Sequence, residues 1–264
     1  MEKKLYEEKD LPWADLEKLG LASQGKLLMS QADQDALLSG RRSSLQKLSD
    51  IGDSHLHISE IDVKLSLTRD DTGKLQLRAH PINRYAEAPE GLEQHEAAQL
   101  ISGEKMSIYK KLKEPEINSF DAIFEYDPET REFIKTDPQK ITVPERVNGE
   151  ELSASQREQF RKGEVVEIND GTKFRYTGVD PEPLRADRML LIASILIDGG
   201  LTYVAYHGLK TLAGLLNKDP KATQKTEAYL KTEAEMQSQK AAHQFSKTED
   251  SEQSRSYTRS GRSR

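Results

Sequence analysis

Apolar and polar positions fall into short blocks whose spacing changes along the chain. Pro12 to Gly20, P-W-A-D-L-E-K-L-G, opens on proline and ends on glycine, the punctuation of a short helix. Trp13, Leu16 and Leu19 share one face of it, either as a small core anchored by the tryptophan or as a partner-binding patch. Three later stretches resemble one another: SQADQDALLSGRRSSL from Ser30, EQHEAAQLISGEKMSI from Glu93 and SASQREQFRKGEVVEI from Ser153. Each has a polar helix start, then a bulky apolar residue (Leu37, Leu100, Phe160) three positions before a glycine (Gly40, Gly103, Gly163). An apolar residue follows five positions later: Leu45, Ile108 and Ile168. A glycine there predicts a left-handed helix cap, where a side chain would clash.

The pattern then switches to alternation. Ile61 to His80 alternates around a Thr-Gly turn, and Phe120 to Asp137 around an Asp-Pro turn; both predict β-hairpins. In the third stretch EVVEI, an Asn169-Asp170-Gly171 turn and TKFRY form a compact hairpin directly after the glycine. The predicted class is α+β: repeated units of short helix, glycine and β-hairpin. The expected divisions are an N-terminal helical segment over 1–50, a hairpin plus the second unit over 51–140 and the third unit over 141–183. An apolar segment over 184–217 and a polar tail over 218–264 complete the chain.

Leu190 to Leu216 departs from every block before it. It is apolar almost throughout and predicts helix in one of three forms: a membrane span, the buried core helix of a soluble protein, or an αα-hairpin. Membrane insertion within 189–216 is close to the length limit of about 20 residues. A central Asp198 would cost about 2.5–3.5 kcal/mol there, which neighbouring Leu and Ile offset. On one helix Ser194, Asp198 and Thr202 would form a polar stripe for contact with another helix. Asp198-Gly199-Gly200 is also a strong turn signal and would split the run into a soluble αα-hairpin. Beyond Lys218 the sequence supports a polar helix and then a disordered Ser/Arg-rich end, whose Arg255, Arg259, Arg262 and Arg264 could touch phosphates weakly.

Composition sharpens this picture in three respects. With 35% apolar and 32% charged residues, the core is expected to be thin and divided among small units. A net charge of −6 argues against nonspecific nucleic-acid binding as the main role. The chain has no cysteine, so thiolate metal sites and disulfides are excluded. His55 and His57 near Asp53 supply two imidazoles on one strand face but no third ligand at a recognisable spacing, and they read as surface histidines. Asp70, Asp71 and Asp127 read as turn formers. Phosphate-loop, dinucleotide, hydrolase and zinc-protease motifs do not occur. No metal, cofactor or enzymatic activity is therefore expected. The N-terminus carries no signal-peptide core, and the expected location is the cytoplasm or the cytoplasmic side of a membrane.

YEEKDLPWADLEKLG, DALLSGRRSSL, IDVKLSLTRDDTGKLQLRAHPI and ITVPERVNGEELSASQREQFRKGEVVEINDGTKF together resemble an uncharacterised bacterial family, named only as domains of unknown function. The resemblance spans most of residues 5–216. It implies proteins carried on conjugative transposons and related mobile elements, whose longer members repeat the helix-glycine-strand module. It transfers no catalytic or binding residues. The functional expectation is a non-enzymatic accessory protein with protein partners, tethered by the apolar run. A soluble factor for DNA processing or transfer is the alternative.

Overall fold

The computed structural model describes residues 4–52, 57–114, 117–188, 190–197, 199–207 and 225–241. The chain is mixed α and β, built from several small antiparallel sheets with short helices against them. The first unit comprises α1 (Trp13–Lys18), a small hairpin of β1 (Ala22–Ser23) and β2 (Lys26–Leu27), and α2 (Gln31–Leu38). The meander β3 (Gln46–Gly52), β4 (His57–Arg69) and β5 (Leu75–Pro81) follows. The second unit is α3 (Gln94–Ser102) with the meander β6 (Ile108–Glu114), β7 (Ile117–Asp127) and β8 (Glu132–Thr136). The third has a hairpin of β9 (Arg146–Val147) and β10 (Glu150–Glu151), then α4 (Ala154–Arg161) and the meander β11 (Val166–Glu167), β12 (Lys173–Tyr176) and β13 (Leu184–Ala186).

Local chemistry sets these helix boundaries. Ser30 caps α2 by accepting from the Asp33 N–H at 3.1 Å. Reciprocal capping boxes start α3 at Glu93/Glu96 and α4 at Ser153/Gln156. At the other end Gly40, Gly103 and Gly163 have φ of 74°, 74° and 72°. Each glycine N–H reaches the carbonyl three residues back, on Leu37, Leu100 and Phe160. Those same three side chains are buried in the core of their own unit.

Each unit has its own apolar cluster, as a thin, divided core requires. Trp13, Leu16 and Leu19 do not form a free patch: Leu16 is fully buried and the other two pack against the same cluster as Leu38, Val63 and Leu65. That cluster joins α2 to β3–β5, so the division lies between β5 and α3. Residues on either side of position 50 thus share one cluster.

Over its described residues the apolar run is not helical. Leu190–Ile197 (β14) and Gly200–His207 (β15) form an antiparallel hairpin with Ile197 opposite Gly200. The turn expected at residues 198–200 is present, but it joins strands; Asp198 itself and residues 208–217 lie outside the described residues. The run is apolar throughout because the hairpin is buried on both faces. Leu191, Ala193 and Tyr206 face the third unit's core. Ile192, with Leu190, Tyr203 and Ala205, packs on Tyr229 and Met236 of a helix over 227–241, α5. Ser194 pairs with Tyr203 and Thr202 with Ile195, so side-chain alternation puts Ser194 and Thr202 on opposite faces and the helical stripe does not exist. No helix among the described residues is long and apolar enough to cross a membrane.

Candidate functional site

Strand alternation brings charge into the centre of the molecule. In β4, Val63, Leu65 and Leu67 enter the first core, which turns Lys64 and Ser66 to the other face. Lys64 pairs in register with His80 of β5, so both share that face. In β7, Ala122 and Phe124 enter the second core, which turns Ile123, Glu125 and Asp127 outward, and Glu132 of β8 lies opposite Asp127. In β12, Phe174 and Tyr176 enter the third core and Arg175 faces away from it, opposite Arg185 of β13.

These outward faces meet. Lys64 Nζ is fully buried and lies 2.8 Å from both Asp127 Oδ2 and Glu129 Oε2. It also donates to the Val179 carbonyl of the third unit at 3.1 Å. Arg42 donates to Glu132 at 2.6 Å, and His80 Nδ1 lies 3.2 Å from the same carboxylate. Arg175 donates to Glu125 at 2.9 Å, and the Gly178 N–H donates to the other oxygen of that carboxylate at 2.6 Å. Arg41 reaches across to the Pro181 carbonyl. The second unit thus presents a ridge of carboxylates gripped between a cationic face of the first unit and one of the third. Such pairs are costly to bury and hold only with good geometry. Here they fix how the three units sit.

His80 is the titratable group that this junction perturbs most visibly. Burial, together with the nearby Arg42 cation, pushes its pKa down to about 4 despite the opposing pull of Glu132. The imidazole is neutral at neutral pH and is hydrogen-bonded to Ser66, whose Oγ is 2.8 Å from Nε2. The network is closed and its groups face one another, so its chemistry is cohesion.

A second polar hub docks α5. Asp170, in the β11–β12 turn, accepts from Asn148 Nδ2 at 2.9 Å and from Thr226 Oγ1 at 2.8 Å. Burial raises its pKa, but hydrogen bonds from Thr172, Asn148 and Thr226 outweigh that and hold the carboxyl below the usual range. Asn148 in turn accepts from the Ile192 N–H at 3.1 Å. Gly149 has φ of 77°, and a Cβ there would stand 2.7 Å from Thr232 Oγ1, so α5 crosses directly over this turn.

The hairpin also closes a sheet of order β10-β9-β14-β15, which leaves β15 at its edge among the described residues. Ile192 and Ser194 direct backbone groups to the β9 side. Their partners Ala205 and Tyr203 therefore direct theirs away from β14, to the open edge. Gln239 of α5 takes the next such carbonyl, that of Leu201, at 3.0 Å. Leu196, at the hairpin end, is exposed.

The residues singled out from sequence are dispersed. Gly40, Gly103 and Gly163 close three separate helices. His57 is exposed and 3.8 Å from Asp50, while Asp53 and His55 lie outside the described residues. Among the described residues no group of His, Asp or Glu is arranged to hold a metal. Arg255, Arg259, Arg262 and Arg264 also lie outside them. Asp127 does form its turn, accepting from the Glu129 N–H, but its second oxygen is the buried partner of Lys64. Sequence reasoning missed the junction itself. Its one signal was a lysine, a serine and a histidine on the supposedly solvent-facing side of well-formed strands.

Residues 6–91 match a family described as a protein of unknown function, DUF4099. The matched span coincides with the first unit and ends just before α3. No curated protein and no solved structure matches the chain.

Proposed function

We propose that this chain is a non-enzymatic interaction protein, a cytoplasmic accessory of a bacterial mobile element, which takes up a protein partner along the β15 edge. In this reading the three helix-glycine-sheet segments are variants of one unit, locked into a rigid body by the carboxylate ridge. The mobile-element context rests on the family resemblance. The interaction role rests on one observation: β15 is an edge strand of eight residues, Gly200–His207, without a lysine, a proline or a carboxylate. Sheet edges are usually protected by such residues, because an open edge pairs with any available strand. Main-chain bonds from Tyr203 and Ala205 would supply affinity, and the neighbouring side chains would supply selectivity.

The test places a photo-crosslinking residue at Tyr203 in the bacterial host. A discrete protein adduct is expected, and Ala205→Pro should abolish it. Proline removes an outward N–H while leaving the β14 ladder intact. An adduct that survives Ala205→Pro, or no adduct at all, rejects the edge as the docking site.

A further inference from the structure

A cavity of about 330 Å³ opens between the second and third units, at the lower end of the size range for small-molecule sites. Tyr109 of β6 and Asp121 of β7 line one side, and Glu158, Arg161 and Lys162 of α4 line the other. Three features suggest that this cavity is a site for a ligand. Asp121 Oδ1 is buried and accepts no hydrogen bond, and a buried acceptor left in that state is costly. Lys111 stands opposite Asp121 in register, yet it is exposed and makes no ion pair among the described residues. Arg161 likewise has no ion-pair partner among the described residues. Lys162 divides its charge between Glu158, 3.5 Å away, and the face of Tyr109, 5.5 Å from the ring centre. Burial, with the Asp121 carboxylate beside it, pushes the Tyr109 phenol up to about 12, so it keeps its proton as a donor.

The two lining carboxylates and two cations sum to zero charge, which suits neither a simple anion nor a simple cation. We propose that this cavity binds a small zwitterion of the α-amino-acid class, its cationic group donating to Asp121 and its carboxylate meeting Arg161. The Tyr109 face and Lys162 line the space between. This site is separate from the β15 edge and does not depend on that role.

Isothermal titration of the full chain with L-arginine, glycine and agmatine tests it. L-Arginine should give saturable heat. Asp121→Asn and Arg161→Ala should each weaken binding by about tenfold or more, the scale of one charge-assisted hydrogen bond. Agmatine, which keeps the guanidinium but lacks the carboxylate, should bind more weakly than L-arginine and be indifferent to Arg161→Ala. Unchanged thermal melting of both variants separates lost binding from lost folding. The proposal is overturned by an absence of saturable heat with both L-arginine and glycine. It is equally overturned by agmatine binding as tightly as L-arginine, or by Asp121→Asn binding unchanged.

Discussion

The two seams of the second unit are built on different principles. Its contact with the first unit is ionic: Lys64 and Arg42 meet Asp127, Glu129 and Glu132, with the neutral His80 beside Glu132. Its contact with the third unit also has an apolar component. Ile123 of β7 is fully buried in the cluster of Phe160, Phe174 and Tyr176, and Ser107 donates to the Gly163 carbonyl at 2.8 Å. An apolar seam gains from area and tolerates small shifts in proportion to the shape lost. An ionic seam contributes little net stability against an apolar equivalent, but it is severely weakened when one partner is removed. The first seam therefore specifies which faces meet, and the second adds cohesion.

The sharpest way to break this contrast is Lys64→Ala. It leaves Asp127 buried without its cation and should cost about 3–5 kcal/mol in urea unfolding. The double variant Lys64→Met with Asp127→Leu removes the fully buried pair, leaves only the more exposed Glu129 without its cation, and should recover most of that loss. A cost below about 1 kcal/mol for the single variant would show that water reaches the seam and screens it.

Acid should separate the two seams next. His80 titrates near 4 in the fold against an ordinary 6.5, so between those values the unfolded chain binds the proton more readily. Stability is fully present above pH 6.5 and falls as pH drops toward 4, by about 3 kcal/mol in total. His80→Gln should flatten that part of the pH profile in denaturant titrations.

The smallest effect compares two helix caps. Gly103→Ala places a Cβ in open space and should cost only the left-handed backbone strain, about 1–2 kcal/mol. Gly163→Ala carries the same strain, but its Cβ would stand 3.0 Å from Ser107 Oγ and 3.3 Å from Ile123. It should cost roughly 1 kcal/mol more because it also presses on the apolar seam. Equal costs in thermal unfolding would mean that this seam yields.

What the sequence revealed follows from where each signal resides. Leu37, Leu100 and Phe160 were identifiable because a helix end is a local event, decided within six residues by a glycine and its carbonyl partners. The β4–β5 and β7–β8 hairpins were identifiable because each gathers its apolar residues on one face and most of its polar residues on the other, and so alternates in sequence even though both faces are buried at the junction. The remaining strand of each meander, β3, β6 and β13, was not identified; β13 is only three residues long. Leu190 to His207 was misread because a strand buried on both faces loses its alternation and resembles a buried helix. The junction escaped for the converse reason. Lys64 and His80 occupy positions that are polar in any half-exposed strand, and only the approach of a second unit, distant in sequence, turns them inward. The Tyr109–Asp121–Arg161 cleft also depends on the placing of two units and has no local signature.

The docking of α5 also has a consequence for the order in which the protein is made. A chain emerging from the ribosome completes its N-terminal units first. The first and second units, and then the third, can close around the carboxylate ridge while synthesis continues. The Ile192 face of the hairpin has to wait for Tyr229 and Met236, and for Thr226 to reach Asp170. During that interval the newborn protein displays an apolar sheet beside an open edge, the combination most prone to capture by neighbours. Helix α5 is therefore a late-arriving cover, and a message cut short before residue 225 would yield a chain whose three units are folded and whose hairpin is sticky.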